Sequence, residues 1–293
     1  VLNVTGSYSN SGTFNNNNGT FKTTAAAATF SGNMVGSSAF SNFLDDSNNS
    51  LALKTFSNSA STSDFTIKNF HRGDGTVSST IIISDNENGG PTGLDDFDSF
   101  GSSVANIGDL DGDGVTDLAV GAYLDEATSG GTAGEGALHI LFMNSDGTVA
   151  STVKISDNEN GGPTGLDGNE YFGYAVANIG DLDGDGVTDL AVGAYLDEAT
   201  SGGTAGEGAL HILFMNSDGT VASTVKISDN ENGGPTGLDT NDSFGISVAN
   251  IGDLDGDGVT DLAVGANADE ATSGGGDGEG ALHILFMNSD GTV

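Results

Sequence analysis

The string GDLDGDGVTDLAVGA occurs three times, with its first aspartate at Asp109, Asp181 and Asp253, a period of 72 residues. The near-identity extends across the whole unit: ISDNENGGPTGLD starts at Ile83, Ile155 and Ile227, and GALHILFMNSDGTV starts at Gly136, Gly208 and Gly280. A repeat of this length is one supersecondary unit that cannot bury its apolar face alone, so the chain must stack neighbouring units into a solenoid, a propeller or a modular array. Residues 85–293 are therefore read as three units, near 85–156, 157–228 and 229–293, and the third stops before the segment ASTVKIS that continues the other two.

Each unit contains four short runs with strand character. In the first they are Phe100 to Ile107, Asp117 to Ala122, Ala137 to Met143 and Thr152 to Ser156, with Asn144 to Gly147 as a hairpin turn. No run has sustained helical period. The fold class expected is all-β, built of tandem four-stranded antiparallel blades, with the Gly and Ala of each Val-Gly-Ala letting neighbouring sheets approach closely. The 48 glycines and the low content of large side chains fit such packing.

The loop between the first two strands carries the chemistry. Asp109, Asp111, Asp113 and Asp117 stand at loop positions one, three, five and nine, and the carbonyl of Val115 is available at position seven. Alternate residues of a tightly wound loop point oxygens at one centre, while Gly112 and Gly114 take backbone angles that a Cβ resists. Hard oxygen donors select Ca²⁺ over zinc or copper. The same set recurs as Asp181, Asp183, Asp185, Val187 and Asp189, and as Asp253, Asp255, Asp257, Val259 and Asp261, so three Ca²⁺ are expected, about one per repeat. Position twelve is Val120 and helices are lacking, which excludes an EF-hand.

These residues, in the settings FGSSVANIGDLDGDGVTDLAVGA, FGYAVANIGDLDGDGVTDLAVGA from Phe172 and FGISVANIGDLDGDGVTDLAVGA from Phe244, resemble the FG-GAP repeat of integrin α-subunit propellers and their bacterial relatives. The resemblance covers residues from roughly 71 to 293. It implies β-propeller-type blades with Ca²⁺ held in the hairpin between the first two strands, and an extracellular or cell-surface adhesion module, here of bacterial type. Integrin-type propellers have seven blades and shorter units, whereas this chain has three units lengthened by ISDNENGGPTGLD.

Charge narrows the partners. The formal net charge is −36, and residues 1–70 are neutral, with Lys22, Lys54 and Lys68 against Asp45, Asp46 and Asp64, so the excess lies in the repeats. Such a surface repels nucleic acid and anionic membranes. No apolar run approaches the roughly 18 residues of a membrane span. No leader peptide is visible and the first residue is Val1, which fits a cytosolic protein, a mature secreted form or a fragment. Without cysteine there is no disulfide framework, and metal is the staple expected instead.

The remaining material raises the question of assembly. Residues 1–64 form a polar segment rich in Asn, Ser, Thr and Gly, similar to the β-solenoid stretches of bacterial surface proteins, with disordered linker as the alternative. Residues 65–84 align with the third and fourth strands of a blade. Strand Ser78 to Ser84, or another N-terminal strand, is thus a candidate to complete the third blade of a neighbouring molecule.

Several motifs are read blandly. Arg72-Gly73-Asp74 occupies an ordinary hairpin turn, and His139, His211 and His283 are packing residues. Asp125-Glu126, Asp197-Glu198 and Asp269-Glu270, with Glu135, Glu207 and Glu279, are solvated acidic loops before they are a second cation site. Asp85, Glu87 and Asp95 are treated alike. No catalytic constellation recurs, so no enzyme is expected. Three classes remain: a calcium-stabilised adhesion or structural protein, a subunit of an extracellular fibre assembled by strand complementation, and an accessory binding domain of a secreted enzyme. The partners expected are further copies of the chain, or a cell-surface or matrix protein or glycan.

Overall fold

The structure is a computed structural model. It describes the strand backbones at 2–4, 8–13, 20–23, 29–33, 42–45 and 55–57, and residues 77, 79–128, 130–200, 203, 206–269 and 278–293. The partial blade at 65–76 and Arg72-Gly73-Asp74 lie outside the described residues. Two units are distinguished, Val1–Ser79 and Thr80–Val293. No helix occurs among the described residues.

In the first unit six strands alternate between two parallel ladders. Strands β1 (Leu2–Val4), β3 (Thr20–Thr23) and β5 (Asn42–Asp45) form one, and β2 (Tyr8–Thr13), β4 (Thr29–Asn33) and β6 (Thr55–Ser57) the other. Parallel neighbours need a crossover, and here each crossover contains a strand of the opposite ladder. The register places like residues at equivalent positions: Leu2, Phe21 and Phe43 in the first ladder, and Tyr8, Phe30 and Phe56 in the second.

The second unit contains three antiparallel sheets, one per repeat. The first blade comprises β7 (Ser103–Gly108), β8 (Asp117–Ala122), β9 (Ala137–Met143) and β10 (Val149–Ile155), paired in sequence order. The second repeats it with β11 (Ala175–Gly180), β12 (Asp189–Ala194), β13 (Ala209–Met215) and β14 (Val221–Ile227). The third has β15 (Phe244–Gly252), β16 (Asp261–Ala266) and β17 (Ala281–Leu285), with no fourth strand among the described residues. These are tandem propeller-type blades. The fourth strands begin three residues earlier than the sequence suggests, at Val149 and Val221, where each valine pairs with the methionine that ends the third strand, Met143 or Met215.

The middle blade explains why DLAVGA and ALHILFM are nearly continuous apolar runs and do not alternate. Every residue of β12 and β13 is buried, since both faces of that sheet are covered. Phe172, Leu190, Val192 and Leu213 pack with Leu138, Ile140 and Phe142 of the first blade. Phe244, Leu262 and Val264 pack with Leu210, Ile212 and Phe214 in the same way on the other side.

Backbone contact between blades occurs where the two glycine motifs meet. A Cβ on Gly121 would overlap the carbonyl oxygen of Gly173, and one on Gly193 that of Gly245. Thus the Gly of each Val-Gly-Ala lies against the Gly of the next Phe-Gly. Around these points Ser103 Oγ donates to Gly173 O at 2.7 Å, and Asn178 Nδ2 donates to Asn106 O at 2.8 Å, followed by Asn250 to Asn178 O at 3.0 Å. The Asn ladder carries the 72-residue sequence repeat directly into the stacking of inner strands.

The long linker is a second clamp. Asp85 Oδ1 accepts from the backbone N–H groups of Gly93 and Leu94, and Asp157 and Asp229 act likewise, which uses this aspartate to fold the loop. Glu159 Oε2 accepts from Ser156 Oγ at 2.7 Å and reaches back to Thr128 N in the preceding unit at 3.1 Å. Burial pushes the Glu159 carboxyl up, but the donors from Ser156 and Thr128 more than offset it and hold it below its ordinary value. Its contribution to stability is therefore present above the ordinary glutamate pKa and lost as pH falls through the lower folded value. Glu159→Gln should cost about 1 kcal/mol at neutral pH. The gap in melting temperature from the parent should close on acidification, and a pH-independent gap would refute the charge-assisted clamp.

Residues 79–83, read from sequence as part of a fourth strand, carry no strand pairing, because no neighbouring strand among the described residues lies beside them. Ile81 and Ile82 are exposed. At the other end Leu282, Ile284 and Phe286 are exposed, whereas their counterparts Leu138, Ile140 and Phe142 and Leu210, Ile212 and Phe214 are buried.

Candidate metal centre

The pairing of Gly108 with Asp117 closes the β7–β8 hairpin around the acidic loop. Gly112 and Gly114 sit at φ +80° and +90°, the left-handed region the loop requires. Asp109 Oδ2 accepts from Gly114 N at 2.9 Å, Asp111 Oδ1 from Asp113 N at 3.1 Å and Asp113 Oδ1 from Val115 N at 2.7 Å. Asp117 is 1% exposed and holds the loop to the sheet, accepting from Leu110 N through Oδ2 and from Met143 N, on β9, through Oδ1. The pattern repeats at Asp189 with Leu182 and Met215, and at Asp261 with Leu254 and Met287.

Of the predicted ligands, Asp109, Asp111 and Asp117 place carboxylate oxygens within 4.8 Å of one another, as do Asp181, Asp183 and Asp189, and Asp253, Asp255 and Asp261. Asp113, Asp185 and Asp257 do not join these groups and instead bond the backbone N–H of Val115, Val187 and Val259. Burial raises the Asp189 carboxyl to about 6, and the charges of Asp183 and Asp185 add to it against the backbone donors of Met215 and Leu182. Like charges about 5 Å apart repel by about 1 kcal/mol per pair in water and by more when water is excluded. No His or Cys belongs to any of the three groups. The donor set is oxygen only and anionic, which fits Ca²⁺.

A second acidic region lies at the loop that follows the second strand. The sequence reading of Asp125 and Asp197 as solvated is corrected here: they are 3% and 2% exposed. His139 Nε2 lies 3.0 Å from Asp125 Oδ2 and Lys154 Nζ 2.6 Å from Oδ1, and Lys154 also donates to Glu126 O. His211 and Lys226 repeat this on Asp197. Burial pushes the Asp125 and Asp197 carboxyls up, but their His and Lys partners prevail and hold both low. The histidines are packing residues as expected, with the Phe of each Phe-Gly edge-on to them at 5.4 to 5.6 Å between ring centroids. Glu135 is also buried and accepts from Thr132 N and Oγ1, so it folds its own loop. Glu270 lies outside the described residues.

Sequence reasoning missed Asp98, Glu170 and Asp242, which are buried beside this region. Asp98 and Asp125 with Glu126, and Asp167 and Glu170 with Glu198, form two further carboxylate groups within 4.8 Å. Burial raises Glu170 to about 8, assisted by the charge of Asp197. The signal was an acidic residue two places before each Phe-Gly phenylalanine, obscured because the units differ there: DDFDSF, DGNEYF and DTNDSF.

The model of the FG-GAP repeat matches residues 100–141, 172–213 and 244–285, each match spanning the acidic loop and the first three strands of one blade. Integrin alpha-PS2 of Drosophila melanogaster is 33% identical over 182 residues, 60% of this chain and 12% of that protein. Human integrin alpha-IIb is 35% identical over 173 residues, 57% of this chain and 14% of that protein. Integrin alpha-5 of Xenopus laevis is 36% identical over 104 residues, 36% of this chain and 9% of that protein. The chain thus spans a small part of the length of each.

Proposed function

We propose that this chain, which belongs to the FG-GAP repeat family, is a calcium-stabilised, non-catalytic adhesion or structural protein that works outside the cell or on its surface, in a bacterial setting. The observation that carries this is the threefold convergence of buried and exposed carboxylates in one hairpin loop per blade. In each loop Asp109, Asp111 and Asp117, or their counterparts, would hold Ca²⁺, with Asp113 and the carbonyl of Val115 as the further oxygens. The bound ion would supply charge neutralisation, tying a loop that otherwise repels itself to the β-sheet beneath it. The adhesive reading comes from the family resemblance, and its partners would be a cell-surface or matrix protein or a glycan.

The test is capture. Immobilised protein should retain cells, matrix glycoproteins or glycans from a panel in Ca²⁺ and release them in chelator, and a variant carrying Asp111→Asn, Asp183→Asn and Asp255→Asn should retain less. Failure to retain any member of the panel, with the protein folded and calcium-loaded, would overturn the adhesive role.

A second reading, a fibre subunit, is favoured by the edge of β17 in the third blade, which has no paired fourth strand among the described residues. In the first two blades that edge is covered by VASTVKI, and residues 77–83, VSSTIII, keep the valine, serine, threonine and final isoleucine of that strand. Strand donation between copies would pair Ile81 with Ile284. Light scattering should then show concentration-dependent polymers that Ile81→Lys abolishes; a monomer at all concentrations would exclude the fibre.

A further inference from the structure

We propose that the second blade carries an additional divalent-cation site, separate from its acidic loop, formed by Glu170 with Asp167 and Glu198. The three carboxylates of the second blade lie within 4.8 Å of one another. Proximity alone is common on acidic surfaces, but Glu170 is not on the surface: it is 4% exposed. Its Oε2 accepts from Asp167 N at 2.7 Å, and its other carboxylate oxygen has no hydrogen-bond donor among the described residues. Lys226, the cation of the neighbourhood, gives its hydrogen bonds to Asp197 Oδ1 and to the carbonyl of Glu198.

A carboxyl oxygen out of water and without a donor is costly, and its ionised form more so. The fold nevertheless holds it there. The flanking residues Asn169 and Tyr171 have φ of +72° and +63°, and Phe97 and Ser99 around Asp98 have +82° and +59°. Such backbone is unfavourable for residues with a Cβ and is retained where the surrounding structure fixes it. In the second blade the chain thus turns Glu170 inward beside Asp167 and Glu198. A hard cation supplies what Glu170 lacks, and an all-carboxylate donor set selects Ca²⁺ over the metals that seek nitrogen or sulfur.

Terbium, a luminescent stand-in for Ca²⁺, reports on this site separately from the loops. The chain has no Trp, and Tyr171, adjacent to Glu170, packs in a group with Tyr123, Tyr174 and Tyr195 that can sensitise the ion. The full chain should show tyrosine-sensitised terbium emission that Ca²⁺ displaces. Glu170→Gln should abolish most of that emission and lower the Ca²⁺ taken up in equilibrium dialysis by one equivalent. Asp183→Asn, in the acidic loop of the same blade, should also lower uptake but leave the emission. Thermal melts add a sign test. Glu170→Gln should raise the melting temperature in chelator, where it removes a carboxyl that burial disfavours, and lower it in Ca²⁺. Glu198→Gln, at a half-buried position, repeats the test where folding is less at risk. Unchanged uptake in both variants, or a stabilisation by Glu170→Gln that is the same with and without Ca²⁺, would overturn the site.

Discussion

Replacing Gly193 by alanine should lower stability by at least about 3 kcal/mol, the upper part of the usual range for overpacking, and the melting temperature by roughly 6 to 12 °C in a unit of this size. The new methyl group meets the carbonyl oxygen of Gly245, an atom of the next blade's backbone that no rotamer change can withdraw. Relief requires the second and third blades to part, which loosens the apolar layer of Phe244, Leu262 and Val264 against Leu210 and Ile212. Gly193 itself has no left-handed φ, so backbone strain contributes nothing to the effect. Gly165→Ala is the converse control. There φ is +85° and a Cβ meets nothing within 4 Å, so only the cost of left-handed backbone applies, about 1 kcal/mol. Calorimetry on the two variants decides the matter. If Gly193→Ala melts no lower than Gly165→Ala, the blades are not held by backbone contact at the glycine motifs.

The physical basis for that contact was readable in the sequence, because a blade that places Gly and Ala where a strand ordinarily places β-branched residues must be meeting another backbone. The hairpin position of the acidic loop was readable for a similar reason, since DGDG between two apolar runs leaves few other places for it. What could not be read was the environment of each acid. Asp125 and Lys154 are 29 residues apart in the chain and meet only because β10 pairs with β9 in the register Lys154 to His139. One cue was available. Arg72, Lys154 and Lys226 are the only Lys and Arg in residues 71–293, and the two lysines occupy the same place in successive units, as a fixed ion-pair partner would. Asp113 shows a role that spacing alone leaves unread: a carboxylate two residues before a free N–H can also close an Asx-type turn, and in all three loops this aspartate does so, as Asp111 and its counterparts do.

Removing calcium should have the largest effect of all. Extracellular sites built from Asp-rich loops bind with dissociation constants of about 10⁻⁴ to 10⁻³ M. In about 10 mM Ca²⁺ each would stabilise the folded state by about 1.4 to 2.7 kcal/mol, so three loops together give roughly 4 to 8 kcal/mol. Chelation should accordingly lower the melting temperature by roughly 10 to 30 °C. The loss arises at a defined place. Asp117, Asp189 and Asp261 each join their loop to the third strand through Met143, Met215 and Met287, and they are almost completely buried. Without a cation each is left beside two other carboxylates within 4.8 Å, and the repulsion acts on the bond between loop and sheet. Added salt distinguishes this from a general effect of the net charge of −36. Monovalent salt screens long-range repulsion between exposed groups but little of it at a buried carboxylate, so about 0.15 M NaCl should restore only a minor part of the stability that chelator removes. Asp183→Asn should remove about one third of the calcium-dependent increment. A melting temperature indifferent to chelator, or fully restored by NaCl, would show that the loops are solvated turns and not metal sites.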